Sequence, residues 1–311
     1  MTERLTLAEA DITRATEIWR RGGLVAFPTE TVYGLGADAS SDAAVAGIFA
    51  AKDRPDFNPL ITHVASLDQA KALAVWSEAA EALAAAYWPG PLTLVLPLRD
   101  GAPLSKLVTA GLGSVGIRMP AHPVARQLLS AFGGGVAAPS ANRSGRISPT
   151  RPEHVLDTLD GRIDAVVAGG PAEVGLESTI LGLTGKPTLL RPGGITAEAL
   201  AETLGARVFT RRDTEAISAP GQTPSHYAPR AEMRLNAAEW QEGEARLGFG
   251  EMPCDLNLSE REDLTEAAAN LFAHLHALDR MGRSVIAVAP VPHRGLGIAI
   301  NDRLSRAAAP R

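Results

Sequence analysis

The sequence predicts an α/β protein built as two units, a larger one followed by a smaller one. Two observations carry this expectation. Short apolar runs bounded by Gly and Pro alternate with helix-spaced segments through the first two thirds of the chain, and a proline-rich, charged stretch then separates them from a second alternation of the same kind. The length of 311 residues agrees, since a domain commonly takes ~150.

In chain order, Leu24 to Phe27, Leu92 to Leu96, Ser114 to Met119, Val136 to Ala138, Ala165 to Ala168 and Thr188 to Leu190 read as strands. Asp42 to Ala51, Ala79 to Tyr87 and Pro123 to Phe132 carry helical spacing, and Thr196 stands as a cap before a helix from Ala197 to Leu204. From Phe209 to Arg230 the pattern breaks into Arg211, Arg212, Asp213 and Glu215, then Pro220, Gly221, Pro224 and Pro229, which is linker composition. Beyond it, Arg246 to Phe249 reads as a strand and Leu264 to Met281 as a helix with one apolar face. Strand Ser284 to Ala289 and helix Leu296 to Ala307 close the chain. The domains are therefore placed at 1–209 and 231–311, with a linker at 210–230.

Composition narrows the function classes. With 45% hydrophobic and 21% charged residues there is enough apolar material for a core, which excludes disorder of the bulk. Basic and acidic residues number 18 and 21 up to residue 209, and 12 and 14 after it. Neither part is a polycation, so a contact with RNA would need a local patch. Cys254 is the only cysteine, which excludes a disulfide framework and a cysteine-rich zinc site and fits a reducing, cytoplasmic setting. No run approaches the ~18 apolar residues of a membrane span, and no apolar segment follows Met1 to Arg4 as in a secretion signal, so no membrane association is expected.

Several familiar signals fail. Gly111 to Gly116 matches G-x-G-x-x-G but runs into Ile117-Arg118-Met119-Pro120, a strand ending at proline where the dinucleotide fingerprint needs a helix. Neither a P-loop nor a G-x-S-x-G elbow occurs. His274 and His276, two apart on a helix, point in different directions and read as solvated or packed side chains.

The informative feature is polar residues placed directly after apolar strands. Phe27 leads into a loop, Pro28 to Gly36, with two threonines, Glu30 and close glycines; capping hydroxyls of a turn explain them equally well. Lys52 and Arg54 follow a helix, with Asn58 and His63 beyond, and a solvated charge pair is the alternative there. Ser114 and Arg118 share one strand face by period-two alternation, and an arginine at the end of an apolar strand needs a partner. Ala138 to Asn142, Glu177 to Thr179 and Leu190 to Gly193 repeat the design, and Arg143, Arg146 and Arg151 accumulate with no acid between residues 143 and 151. Open α/β sheets bind ligands at strand ends, so these places suggest one polar pocket for an anionic ligand.

The run FPTETVYGLG from Phe27 to Gly36, Lys52-Asp-Arg54 with Asn58-Pro-Leu60, WPGPLT from Trp88 to Thr93, Arg118-Met-Pro120, Pro139-Ser-Ala-Asn142 and Glu177-Ser-Thr-Ile180 resemble the YrdC-like family in order and spacing, over roughly residues 5 to 208. Asn257 to Ser259, Glu266 to Phe272 and GLGIAINDR from Gly295 to Arg303 are similar to the extra domain of its long form. The resemblance implies a YrdC-like twisted mixed sheet followed by a small Rossmann-like domain. It also implies condensation of L-threonine, bicarbonate or CO2, and ATP into threonylcarbamoyl-adenylate with loss of pyrophosphate, the first step of threonylcarbamoyladenosine formation in tRNA. Carried over by motif position, Thr31, His63, Arg118, Ala138 and Ser178 would hold threonine, with Arg118 forking its carboxylate. Arg54, Asn58, Ser114, Ser140, Ser148 and Arg191 would hold ATP, with Asn142 close by. Lys52 and Arg54 would be the catalytic cations, Lys52 stabilising charge near the carbamate or phosphates. Mg2+ would come with the triphosphate, since no carboxylate cage is evident. A downstream threonylcarbamoyl transferase would be the partner. The alternative is an RNA-binding module without turnover.

The linker departs from the pattern that the resemblance implies: Gln222 and Pro224 stand at the positions usual for Met and Tyr, which puts one nucleotide contact in doubt and leaves His226 and Tyr227 available to ATP. A proline-rich segment is comparatively stiff, so this one is expected to lie across the pocket mouth as a lid.

Overall fold

The structure is a computed structural model and describes residues 1–55, 57–211 and 218–310. Arg212, Asp213 and Glu215 of the expected linker, and Asp56 beside Asn58, lie outside the described residues.

Eleven strands among the described residues form one mixed sheet. Its order is Glu3–Leu5, Ala165–Val167, Val25–Phe27, Gly34–Asp38, Val136–Ala137, Ile61–His63, Ser114–Arg118, Leu92–Pro97, Thr179–Gly182, Thr188–Arg191 and Phe209–Thr210. Four strands, Glu232–Arg234, Val285–Val288, Ala245–Gly248 and Leu256–Asn257, make a second, parallel sheet. Helices Leu264–Arg280 and Leu296–Ala307 belong to this second unit, as its βα alternation anticipates.

Local chemistry sets the helix starts. Ser41 accepts from Ala44 N before Asp42–Lys52, Thr196 from Ala199 N before Ala197–Leu204, and Asp263 from Thr265 N and Glu266 N before Leu264–Arg280. The string Gly111 to Gly116 overlaps strand Ser114–Arg118, so a strand and not a helix begins at it.

The expected loop Pro28 to Gly36 is shorter than the sequence suggests. Gly34–Asp38 is a strand, antiparallel to Val25–Phe27, and the loop proper ends at Tyr33. Glycine disguises this strand, yet glycine is required there: a Cβ on Gly36 would lie 2.8 Å from Trp19 and 2.9 Å from Phe27 and Val136. Helices Glu9–Arg20 and Pro152–Leu159 were not anticipated either; the first buries Ile12, Ala15, Thr16, Ile18 and Trp19.

The two units share apolar contacts. Val32, Ile147, Leu176 and Tyr227 pack in one buried cluster with Leu271, Phe272 and Leu275 of helix Leu264–Arg280 and Leu304 of the last helix. His276 stacks on His154, ring centroids 3.8 Å apart, and its Nε2 lies 3.1 Å from the Ser148 carbonyl; it is therefore a packed interface residue.

Candidate active site

Parallel and antiparallel neighbours in the large sheet bring the ends of Val25–Phe27, Ile61–His63, Ser114–Arg118 and Thr188–Arg191 to one cavity of about 540 Å3, its open mouth included. Thr31, His63, Arg118, Ala138 and Ser178 all line it, as do Arg54, Ser140, Arg191, His226 and Tyr227. The five residues assigned to threonine and five of the nine assigned to the nucleotide thus converge on a single space.

The turn Pro28 to Tyr33 is built by Thr29, whose hydroxyl accepts from Thr31 N and Val32 N and donates to Val32 O at 2.6 Å. The capping reading of this hydroxyl is therefore correct for Thr29, while Thr31 Oγ1 accepts from Arg118 Nη1 at 2.8 Å. Arg118 already has its partner within the chain: Nη2 lies 2.7 Å from Glu30 Oε1, an ion pair without a hydrogen bond between those two atoms. Burial raises the Glu30 carboxyl, but the Arg118 guanidinium beside it more than compensates and leaves it below the usual range. The partner that an arginine at the end of an apolar strand was expected to need is thus supplied, within the chain, by Glu30.

Arg54 and Arg191 differ. Arg54 Nη2 donates to the Asn58 and Pro59 carbonyls, and Arg191 donates to Ser178 through its carbonyl and hydroxyl. Among the described residues neither has a carboxylate at ion-pair distance, and both are buried. Burial and the charge of Arg191 push Arg54 down to about 10. Two buried guanidiniums facing one cavity without acids of their own make a receptor for an anion. His63 and His226 are each pushed down by burial, to about 3, so both rings are neutral at neutral pH and their free Nδ1 atoms can serve a ligand.

Lys52 is fully buried and absent from the cavity wall; its ammonium donates to the carbonyls of Ser140 and Asn142. Burial, then Arg54, drive its pKa well below the ordinary lysine range. The solvated-pair reading of Lys52 and Arg54 is thus wrong, and Lys52 braces the loop that presents Ser140. Asn58, Ser114, Asn142 and Ser148 also stand off the wall. Ser114 begins the strand that Arg118 ends; Asn142 Nδ2 donates to Arg143 and Arg146 carbonyls; and Ser148 Oγ donates to Glu177.

The segment from Pro220 to Tyr227 is more than a tether. Pro220, Gly221, His226 and Tyr227 line the cavity. Gln222, the departure in the linker, accepts from Ser218 N and Ala219 N and donates to Leu190 O, which clips the turn against the strand carrying Arg191. Gly221 has φ +81, and a Cβ there would meet Tyr227 and Arg191 at 2.9 and 3.0 Å.

Three charged residues were missed. Glu30 and Glu177 lie inside quoted motifs without an assigned role, although a buried arginine calls for an acid. Arg303 comes from the last helix, where Ile300, Leu304 and Ala307 mark the same buried face; its helical phase was the available signal. Arg143, by contrast, is exposed and paired with Asp53. No group of three or more His, Cys, Asp or Glu able to hold a metal occurs among the described residues, and no helix there is long and apolar enough to cross a membrane.

Fold and cavity together define an α/β protein whose pocket at the large sheet is lined by buried arginines. Residues 17–193 match the Sua5/YciO/YrdC family, described as "Telomere recombination", and residues 195–309 match the threonylcarbamoyl-AMP synthase C-terminal domain. The chain belongs to this family, in its long two-domain form. It is 41% identical to threonylcarbamoyl-AMP synthase of Pyrococcus abyssi, covering 98% of this chain and 96% of that one. It is 40% identical to the Bacillus subtilis enzyme of the same name, over 100% and 96%. A crystal structure of P. abyssi Sua5 complexed with L-threonine superposes with a TM-score of 0.91 at 38% identity, over 99% of this chain and 97% of that one.

Proposed function

We propose that this chain condenses L-threonine, bicarbonate or CO2, and ATP into threonylcarbamoyl-AMP, releasing pyrophosphate. The observation that carries the reading is the pair Arg54 and Arg191, two buried cations with no carboxylate at ion-pair distance among the described residues, on the wall that also holds Thr31, His63, Arg118, Ala138 and Ser178. The threonine amine combines with bicarbonate to give a carbamate and water. A carbamate oxygen then attacks the α-phosphorus, and pyrophosphate leaves. Negative charge from three reactants gathers in one place, so fixed cations are the main resource for catalysis.

In this reading Arg118, with Thr31 and Ser178, orients the threonine carboxylate, and neutral His63 offers a hydrogen bond without adding charge. Arg54, Arg191 and Ser140 take the phosphates, and Lys52 is a positioning residue behind Ser140. Glu177 at the wall and Glu30 behind Arg118 are committed to Arg303 and Arg118, and among the described residues they form no cage for Mg2+, which enters with the triphosphate as part of the substrate. The segment Pro220 to Tyr227 acts as a lid that keeps water from a labile mixed anhydride. The product passes to a threonylcarbamoyl transferase. Pyrophosphate release that needs ATP, threonine and bicarbonate together tests the reading; release without threonine, or none with all three present, overturns it.

A further inference from the structure

Arg303 belongs to the second unit, yet its side chain is 0% exposed and reaches Glu177, which lines the cavity. Its Nε donates to Glu177 Oε2 at 3.0 Å, and Nη1 donates to the Pro192 carbonyl at 2.7 Å and to Asp302 Oδ2 at 2.9 Å. The guanidinium also lies over the Tyr227 ring, 5.4 Å from its centroid. One side chain thus ties together the acid before Ser178, the residue after Arg191, and the lid tyrosine.

Glu177 stands between two guanidiniums. It lines the same cavity as Arg191 and acts electrostatically on it, while its carboxylate is bonded to Arg303 and Ser148. A buried carboxylate deprived of Arg303 would turn to the nearest uncompensated cation, and Arg191 has no acid at ion-pair distance among the described residues. We propose that Arg303 is a positioning residue of the nucleotide site: by holding Glu177 it keeps that carboxylate off Arg191, and so reserves Arg191 for phosphate. The second unit then contributes to ATP binding without touching ATP. This rests on the reading that Arg191 holds ATP.

The test is a cycle in the full chain, with ATP dissociation constants from calorimetry and KM and kcat from pyrophosphate release. Arg303→Met is expected to weaken ATP by at least about tenfold while threonine KM moves by less than about threefold, and Arg303→Lys is expected to fall between. Adding Glu177→Gln to Arg303→Met should restore most of the ATP affinity, because the competing charge is gone; a merely structural prop would give no such rescue. Unchanged ATP affinity in Arg303→Met overturns the proposal, as does a double variant no better than the single one. If Arg303→Met does not fold, the same cycle with Arg303→Lys decides. Arg191→Ala serves as the control: if its ATP affinity equals that of the wild type, the nucleotide reading of Arg191 itself fails, and this inference fails with it.

Discussion

Arg118 Nη2 and Glu30 Oε1 lie 2.7 Å apart with their side chains only 4% and 7% exposed, so the arginine that faces the cavity is already matched by an acid of its own chain. Removing one member leaves the other charged and buried, at a cost of ~3 to 5 kcal/mol. Arg118→Ala is expected to lower folding stability by that order as well as to weaken threonine. The Glu30 carboxyl is held below its unfolded value, so the unfolded chain binds the extra proton. The pair's stabilisation is therefore present above the ordinary carboxyl range and lost as pH falls through it. Urea titrations at neutral and acidic pH should show a shallower acid loss in Glu30→Gln than in the wild type, and identical slopes would remove the pair from the stability account.

Arg54→Ala and Arg191→Ala should each reduce ATP affinity by ~2 to 5 kcal/mol, since each deletes a desolvated charge that, among the described residues, has no carboxylate at ion-pair distance. Arg54 also holds the Asn58 and Pro59 carbonyls, and Arg191 the Ser178 carbonyl and hydroxyl, so a fall in melting temperature is expected for both variants. Calorimetry with ATP, beside thermal melts of both variants, separates binding from folding. Wild-type ATP affinity in either variant would take that residue out of the nucleotide site.

His154 and His276, stacked across the two units, are pushed down to about 3 and about 4, chiefly by burial. Arg151, Asp157, Asp279 and Arg280 are the charges around them. Both rings are neutral in the fold, whereas the unfolded chain protonates near 6.5. Protons therefore favour unfolding, and stability falls as pH drops from about 6.5 toward 4. The double variant His154→Phe, His276→Phe keeps an aromatic stack and should flatten melting temperature against pH in that window. A wild-type melting temperature that does not change between pH 7 and pH 5 would contradict the burial of these rings as neutral groups.

Much of this was legible because motif residues sit at strand ends, where the sheet itself collects them. Thr31, His63, Arg118, Ala138 and Ser178 needed no knowledge of packing to be grouped once the runs around them were read in order. Helices with a clear cap, such as Ala197–Leu204 behind Thr196, were equally plain. What stayed hidden was pairing across distance. Arg303 and Glu177 are 126 residues apart, and nothing local to either names the other. The solvated alternative for Lys52 arose for a related reason: a cation at a helix end looks solvated until the loop carrying Ser140 and Asn142 folds over it. Strand Gly34–Asp38 escaped because glycine, which weakens a strand by propensity, is there the only residue that fits beneath Trp19 and Phe27.

The contact between the units can be probed at one backbone position. Gly175 has φ +72, and a Cβ there would lie 2.5 Å from the Ala268 carbonyl and from Ala269 of helix Leu264–Arg280. Both the left-handed backbone and the closeness to another backbone exclude a side chain, and neither obstacle can be relieved by turning a rotamer. Leu176, Glu177 and Ser178 follow directly, so a displaced Gly175 moves the residue that Arg303 holds and the one to which Arg191 donates. Gly175→Ala is expected to lower the melting temperature and, in the protein that remains folded, to raise KM for ATP and for threonine together. Limited proteolysis of the folded variant should also become faster as the units loosen. Wild-type kinetics and proteolysis in a folded Gly175→Ala variant would mean that the loop tolerates the shift and that the close approach has no bearing on the site.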